Sequence, residues 1–182
     1  MSLWHPLEKK LTFRSMLFHI FHITFRSEKT GKTGNFEVIE TRDWTNIIPI
    51  TTNGKFLMVK QFRFGSSELS LEFPAGVIEP NEDPKEASSR ELREETGGIA
   101  KSIISLGSCK PNPAFLKNSM HHYLAQEVEI LHEQNLDHFE EIEVLELTFQ
   151  EVENKIESGE ISHSLTLTAW YFYTQFLNKK VG

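Results

Sequence analysis

An α/β fold is predicted for this chain by three features of its sequence. Short runs of aromatic and β-branched residues are separated by Gly, Asn and Pro turn signals, one sharply capped helix sits between such runs, and a broadly apolar helix closes the chain. At 182 residues the chain is long enough for a closed core and short enough for a single domain, 1–182. No repeat, low-complexity tract or linker divides it.

The elements follow in order. From Phe18 to Phe25 the residues are aromatic or β-branched apart from His19 and His22, and Gly31, Gly34 and Asn35 supply a turn before Asn35–Ile39. That pattern predicts an N-terminal β-hairpin within an extension over residues 1–40. A second strand pair spans Asn46–Ile50 and Phe56–Val59 around the turn Thr52-Asn53-Gly54. Another strand, Leu69–Phe73, leads into Pro74-Ala75-Gly76. The clearest helix start is Asp83-Pro84-Lys85-Glu86, with Asp83 as N-cap, Pro84 at the first helical position and Glu86 placed for a capping box. Gly97-Gly98 ends that helix, which runs over 84–96. Met120–Leu124 and Ile142–Leu147 read as strands, then Phe149–Ser158 precedes a last helix over 164–177. Its Leu165, Leu167, Ala169, Trp170, Phe172, Tyr173 and Phe176 are core residues rather than a cofactor site.

Composition excludes several function classes. With 19 Lys plus Arg against 26 Asp plus Glu, the chain carries a formal charge of -7 and as a whole repels nucleic acid and anionic membranes. Cys109 is the only cysteine, which removes any internal disulfide and any cysteine-cluster metal site. The apolar stretch Met16–Phe25 is too short to span a membrane and lacks a cleavage signal, so a cytoplasmic protein is expected.

The charge is not spread evenly. Glu79, Glu82, Asp83, Glu86, Glu91, Glu94 and Glu95 stand together against Lys85, Arg90 and Arg93. At 3.6 residues per turn, Glu91, Glu94 and Glu95 fall on one face of the helix, with Ala87 and Ser88 one turn earlier. A solvated helix is the plain alternative, but such a helix buries an apolar stripe, and here Leu92 is the only large apolar residue of the segment. Clustered carboxylates repel by a few tenths of a kcal/mol per pair, roughly, unless a cation binds them. Oxygen donors of this kind suit Mg²⁺, with Mn²⁺ as a substitute, and do not suit zinc.

From Gly76 the spacing is five residues to Glu82, seven more to Arg90-Glu91-Leu92, then Glu94-Glu95 and Gly97. This string, 76–98, resembles the Nudix box, the signature of hydrolases acting on nucleoside diphosphates linked to another group. All seven fixed positions and the apolar Leu92 match, and the one departure is Gly98, where the family usually has an apolar residue. The resemblance implies the Nudix α/β/α sandwich around a mixed sheet and a divalent-metal hydrolase. By the same resemblance Glu91 and Glu95, with the Ala75 carbonyl, are the principal metal ligands. Glu94 is an auxiliary ligand held by Arg90, which leaves Glu91 and Glu95 free for metal, and Glu82 stands behind them.

Residues outside the box resemble the ADP-ribose and nucleoside diphosphate sugar pyrophosphatase subgroup. Gln61-Phe62-Arg63 and Leu71–Gly76 match the segment before its box, where the residue at the place of Arg63 contacts diphosphate or pairs with that at the place of Glu72. For Arg63 a surface salt bridge is the alternative. Pro113, fifteen residues past Gly98, then Asn118 and His121, resemble the subgroup's substrate-side residues. Trp44 either stacks on a base or packs at a subunit interface. Metal-bound carboxylates make poor bases, because a cation lowers their pKa and occupies their lone pairs. In similar enzymes the base comes from a loop after the box, and Glu140, with Glu141 as second choice, occupies that place; solvated loop charges are the plain alternative.

The expected function is Mg²⁺-dependent hydrolysis of the diphosphate of ADP-ribose or another nucleoside diphosphate sugar to a nucleoside monophosphate and a sugar phosphate, by a homodimer. The rivals are a hydrolase of nucleoside triphosphates or dinucleoside polyphosphates, and a sensor that binds ADP-ribose without cutting it.

Overall fold

The computed structural model describes the backbone of residues 3–181 and the side chains of 3–179. In chain order the elements are β1 (Trp4–Arg14), β2 (Phe18–Ser27), β3 (Thr33–Thr41), β4 (Trp44–Thr51), β5 (Phe56–Arg63), β6 (Glu68–Glu72), β7 (Ala75–Val77), α1 (Pro84–Thr96), β8 (Gly98–Cys109), β9 (Leu116–Lys117), β10 (Met120–Ile130), β11 (Ile142–Leu147), α2 (Phe149–Glu157) and α3 (Ser164–Val181). They form two compact units, the chain up to Asp43 with Lys110–Ser119, and Trp44–Cys109 with the chain from Met120 onward.

The first unit is a four-stranded sheet in the order β1-β2-β3-β9. Its β2–β3 pair is the expected hairpin, with Ile20 opposite Ile39 and Phe21 opposite Val38. Strand β1 is absent from the sequence reading for a physical reason. Two register shifts, between Pro6 and Glu8 and between Leu11 and Phe13, break the two-residue alternation that would mark it, and every residue in it is exposed. The unit also takes in the segment 110–119, where β9 runs parallel to β3.

The second unit carries a mixed sheet in the order β11-β5-β4-β10-β8, with β6 added on β5 and β7 on β4. Only β4 and β10 are parallel within it, and both faces are covered. On one face Leu92 of α1 packs with Ile47, Leu57, Tyr123, Ala125 and Val128. On the other, Val152 of α2 and Ala169, Trp170 and Tyr173 of α3 pack with Ile48, Phe56, Met58, Phe73 and Leu124. Consecutive residues of β4 and β5 therefore serve opposite cores, which is why these strands read as continuous apolar runs. The result is an α/β/α sandwich. No helix among the described residues is long and apolar enough to cross a membrane.

Helix α1 begins and ends where its sequence signals put it. The Asp83 carboxylate accepts from the backbone N–H groups of Lys85 and Glu86, and Gly97, at φ 71°, donates its N–H to the Arg93 carbonyl. Helix α2 starts with a capping box between Thr148 and Glu151, a signal that the sequence reading passes over. Strand β10 extends past Leu124 to Ile130 because Glu127, at φ 52°, accommodates an irregularity in its pairing with β4.

His122 ties the layers together. Its ring is fully buried on β10, with Nδ1 2.7 Å from the Asn46 Oδ1 and Nε2 3.3 Å from the Cys109 Sγ, while Asn46 Nδ2 donates to the Leu165 carbonyl of α3. Burial, and then the neighbouring His121, pull its pKa down to about 4. The neutral ring is thus the folded form. Stability from this group is fully present above the ordinary value of 6.5 and is lost as pH falls through about 4. We expect unfolding free energy to drop over that window by up to about 3 kcal/mol on this account. Urea titrations of wild type and His122→Gln at pH 7 and pH 4 check it, since the variant must show the shallower pH dependence and equal slopes would refute the assignment.

Candidate active site

The inner face of α1 is unusual for a buried surface. Ala87, Ser88 and Leu92 are fully buried, and Glu95 lies on the same face with 3% exposure. The small residues let the helix approach the sheet closely, so the carboxylates beside them are pressed onto backbone rather than held out in water. Glu95 Oε2 accepts from the Ala75 N–H at 3.1 Å. The Glu91 carboxylate lies so close to Gly76 that a Cβ there would come within 2.0 Å of Glu91 Oε1. Only glycine at 76 leaves the Glu91 carboxylate in this position. Gly98, the departure from the expected box, has a similar cause: a Cβ would meet Thr96 Oγ1 at 2.8 Å and Val128 Cγ1 at 2.9 Å. No apolar side chain fits there in this packing.

Burial first, and Glu94 and Glu140 in addition, push Glu91 up to about 7 against the opposing pull of Arg90. Burial and the neighbouring Glu91 push Glu95 well above the ordinary carboxyl range, with the Ala75 N–H and Arg63 opposing. Two desolvated carboxylates beside one another oppose ionisation, and a hard divalent cation is what makes both charged forms stable together. The donor set therefore fits Mg²⁺. Among the described residues no three His, Cys, Asp or Glu side chains are already gathered as ligands. Two carboxylates and a backbone carbonyl are nonetheless the kind of partial protein set with which Mg²⁺ keeps several waters and takes substrate phosphates.

Arg90 is the hub of the helix's outer edge. Nε and Nη2 donate to the two Glu82 oxygens at 2.8 and 3.1 Å, Nη2 donates to the Val77 carbonyl at 3.0 Å, and Nη1 donates to both Glu94 at 2.9 Å and Glu91 at 2.7 Å. Here the structure departs from the sequence reading, in which Arg90 held Glu94 and left Glu91 free. One guanidinium can span the i+1 and i+4 positions at once, and it does so while pinning the 77–82 loop to the helix.

Across the sheet, Arg63 at the end of β5 makes a two-pronged bond to Glu72, Nε to Oε1 at 2.8 Å and Nη2 to Oε2 at 2.7 Å. Burial works to raise the Glu72 pKa, but Arg63, helped by His163, holds it below the ordinary value. The pair is therefore more than a surface salt bridge, because the carboxylate is fully buried. Arg63 also feels the charges of Glu95 and Glu140.

Glu140 and Glu141 lie just before β11, Glu140 in a turn in which its N–H donates to the Asp137 carbonyl. Ile142 of β11 lies opposite Gln61. The pairing ends there, and from the turn before the strand the Glu140 charge bears on Arg63. Glu141 lines a shallow groove of about 350 Å³ with Lys60, Leu69, Ile142 and Glu143. Both Glu91 and Glu95 respond to the Glu140 charge. In its present pose the Glu140 carboxylate accepts from the Asp137 N–H of its own loop at 3.1 Å.

The other expected substrate-side residues divide between the two units. Trp44, half-buried, begins β4 opposite Val77 and Met120, and His121 follows on β10 opposite Thr45. Pro113 and Asn118 belong to the first unit, where Pro113 is exposed and the buried Asn118 spends Nδ2 on the Arg42 carbonyl. Three residues of the second unit's cluster carry no individual role in the sequence reading. His163 lies 3.6 Å from Glu72 Oε2, Gln134 donates to the carbonyls of Glu95 and Ile142, and Gln61 is buried beside Arg63's strand position. Lone polar residues in loops and strands carry no spacing signal, so only the assembled sheet reveals them.

A cation-suited pair of glutamates on a helix, one buried and one half-buried, laid against a glycine-bearing strand of an α/β/α sandwich, defines the class as metal-dependent hydrolases of phosphoanhydrides. The chain belongs to the NUDIX family, whose NUDIX domain model matches residues 40–167. It is 34% identical over 140 residues to an ADP-ribose pyrophosphatase of Bacillus subtilis (strain 168), and 32% identical over 140 residues to a methanol dehydrogenase activator of Bacillus methanolicus, each match covering 76% of both chains. An ADP-sugar pyrophosphatase of Mus musculus is 38% identical over 88 residues, 42% of this chain and 40% of that one. Among solved structures, a crystal structure of ADP compounds hydrolase shares the fold with a TM-score of 0.86 at 21% identity, covering 97% of this chain and 95% of that one.

The contact at Gly76 yields a test. Gly76→Ala should fold, with a loss of about 1 kcal/mol, because the carboxylate it displaces ends a flexible side chain. Mg²⁺ affinity should fall by roughly tenfold or more as Glu91 moves. Calorimetric titration measures it, and wild-type affinity would remove Glu91 from the ligand set.

Proposed function

We propose that this protein is a Mg²⁺-dependent pyrophosphohydrolase that cleaves the diphosphate bridge of ADP-ribose or a related nucleoside diphosphate sugar. The observation that carries the reading is the pair of carboxylates, Glu95 and Glu91, packed on Ala75–Gly76, with the charges of Arg63, held by Glu72, and of Glu140 bearing on them. The names of the relatives, ADP-ribose pyrophosphatase and ADP-sugar pyrophosphatase, support the substrate class.

In this reading Glu91 and Glu95, with the Ala75 carbonyl and Glu94 nearby, hold the cation, which when bound offsets diphosphate charge and lowers the pKa of water. Mn²⁺ can substitute, since it shares the preference for oxygen donors. Arg63, aimed by Glu72, presents its remaining Nη1 to a diphosphate oxygen. Trp44 and His121 line the substrate side, Trp44 offering a face on which a base can stack. Glu140 accepts the proton of the attacking water. A bond forms from the water oxygen to one phosphorus, the bridging P–O bond breaks, and a nucleoside monophosphate and a sugar phosphate leave. Arg90 keeps the carboxylates of α1 and the 77–82 loop in register.

A homodimer built on the first unit belongs to the same reading. Strand β1 is an eleven-residue edge with Trp4, Leu7, Leu11 and Phe13 exposed, and such an edge is a template for another strand. A second copy supplies it. Light scattering on the purified protein should give about twice the 21.0 kDa chain mass, and Trp4→Arg with Phe13→Arg should halve it, whereas a monomeric wild type would end this part of the proposal.

For the reaction, a panel of ADP-ribose, GDP-mannose, UDP-glucose and nucleoside triphosphates with Mg²⁺ should show the sugar nucleotides ahead in kcat/KM by at least about tenfold. On the best substrate, Glu140→Gln should lose about 10² to 10⁴-fold in kcat with KM little changed, while Glu141→Gln stays near wild type. A triphosphate as the best substrate would overturn the substrate class, and an active Glu140→Gln would overturn the base.

A further inference from the structure

The side chain of Gln61 is 7% exposed, and its Nε2 is buried with no hydrogen-bond partner. Buried polar groups in folded proteins are nearly always paired, so an orphaned donor beside a reaction centre marks a place where an acceptor arrives. Three observations say which acceptor. Gln61 lies on the same face of β5 as Arg63, two residues along, and directly opposite Ile142 of β11. Glu140 precedes Ile142 by two residues, in the turn that leads into the strand position opposite Gln61, a separation that two long side chains can bridge. The Glu140 carboxylate is meanwhile spent on the Asp137 N–H of its own exposed turn, although Arg63, Glu91 and Glu95 all feel its charge. An unpaired donor on β5 and a carboxylate with only a local partner thus stand on either side of one strand pair's end.

We infer that Gln61 is a positioning residue for Glu140: its Nε2–H donates to the Glu140 carboxylate when that side chain turns from the Asp137 N–H toward the reacting water. The bond orients one carboxylate oxygen and leaves the other to take the proton. It also supplies the acceptor that Gln61 lacks, so the turned-in pose satisfies a group that the present pose leaves unpaired. The loop is already fastened for such a movement at its N-terminal side. Asn135 N–H donates to the Glu94 carbonyl and Gln134 Nε2 to the carbonyls of Glu95 and Ile142, which confines the rearrangement to the short span between Leu136 and Glu141. This role rests on Glu140 being the base.

The test is a two-by-two comparison of Gln61→Met and Glu140→Gln, singly and together, on ADP-ribose with saturating Mg²⁺. Gln61→Met keeps the side-chain length and removes an unpaired donor, so the substrate-free protein should melt at the wild-type temperature or above it. Its kcat should fall by about ten- to a hundredfold with KM and Mg²⁺ affinity little changed, and the loss should largely vanish in the Glu140→Gln background because both act through one carboxylate. If Gln61 instead touches substrate, KM rises and the loss persists in that background, and the inference is overturned. Wild-type kcat in Gln61→Met overturns it as well, while a dead Glu140→Gln beside it leaves the base assignment standing. A wild-type rate in Glu140→Gln removes the base and this inference with it. Should Gln61→Met fail to fold, Gln61→Leu carries the same comparison.

Discussion

The organising constraint of the second unit is the packing of two carboxylates, the buried Glu95 and the half-buried Glu91, between α1 and the backbone of Ala75–Gly76. Charged groups are not ordinarily taken out of water without compensation. Around this pair the chain provides compensation piece by piece. Ala87 and Ser88 are small enough to let the helix close on the sheet, Gly76 has no Cβ to obstruct Glu91, the Ala75 N–H bonds Glu95, and Arg90 bonds Glu91. Leu92 packs the same helix into the core with Ile47 and Leu57, which fixes where the backbone holds these carboxylates. The raised proton affinity of both acids is the residue of a compensation that protein groups alone leave incomplete.

The sheet delivers the remaining groups by parity. Residues 57, 61 and 63 of β5 share the α1 face, and antiparallel pairing brings Val144 and Ile142 to that face from β11. From the other side β6 contributes Glu72, opposite Val59. Because β5 lies between β6 and β11, its two polar residues on this face, Gln61 and Arg63, are flanked on both sides. That is why Gln61 is buried and why Arg63 can be held by a carboxylate wholly out of solvent.

Most of the first unit lies outside the segment matched by the NUDIX domain model, which begins at residue 40. Its strand β1 carries exposed aromatic and aliphatic groups next to Lys9, which bonds Glu40 of β3. The same unit claims Pro113 and Asn118 through the short strand β9, although in sequence they sit between two strands of the other unit. Spacing from the box placed these two residues on the substrate side, but spacing says nothing about which sheet a ten-residue excursion joins.

Sequence alone determined what depends on near neighbours along the chain. Asp83, Pro84 and Gly97 bound α1 because caps act within one turn, and the positions of Glu91, Glu94 and Glu95 follow from helical periodicity. The box spacing named the family, and the alternating runs located β2, β3, β5 and β11 to within a few residues. Tertiary structure alone decided what depends on residues far apart. It joined β1 to β2 through two bulges that hide its period, gave β8 its partner in β10, turned Arg90 onto Glu91 as well as Glu94, and set His163 and Gln61 beside residues reached only through sheet pairing. Local geometry is written in residue order, whereas cross-strand register is set by the packing of two faces at once, and no short stretch of sequence contains both.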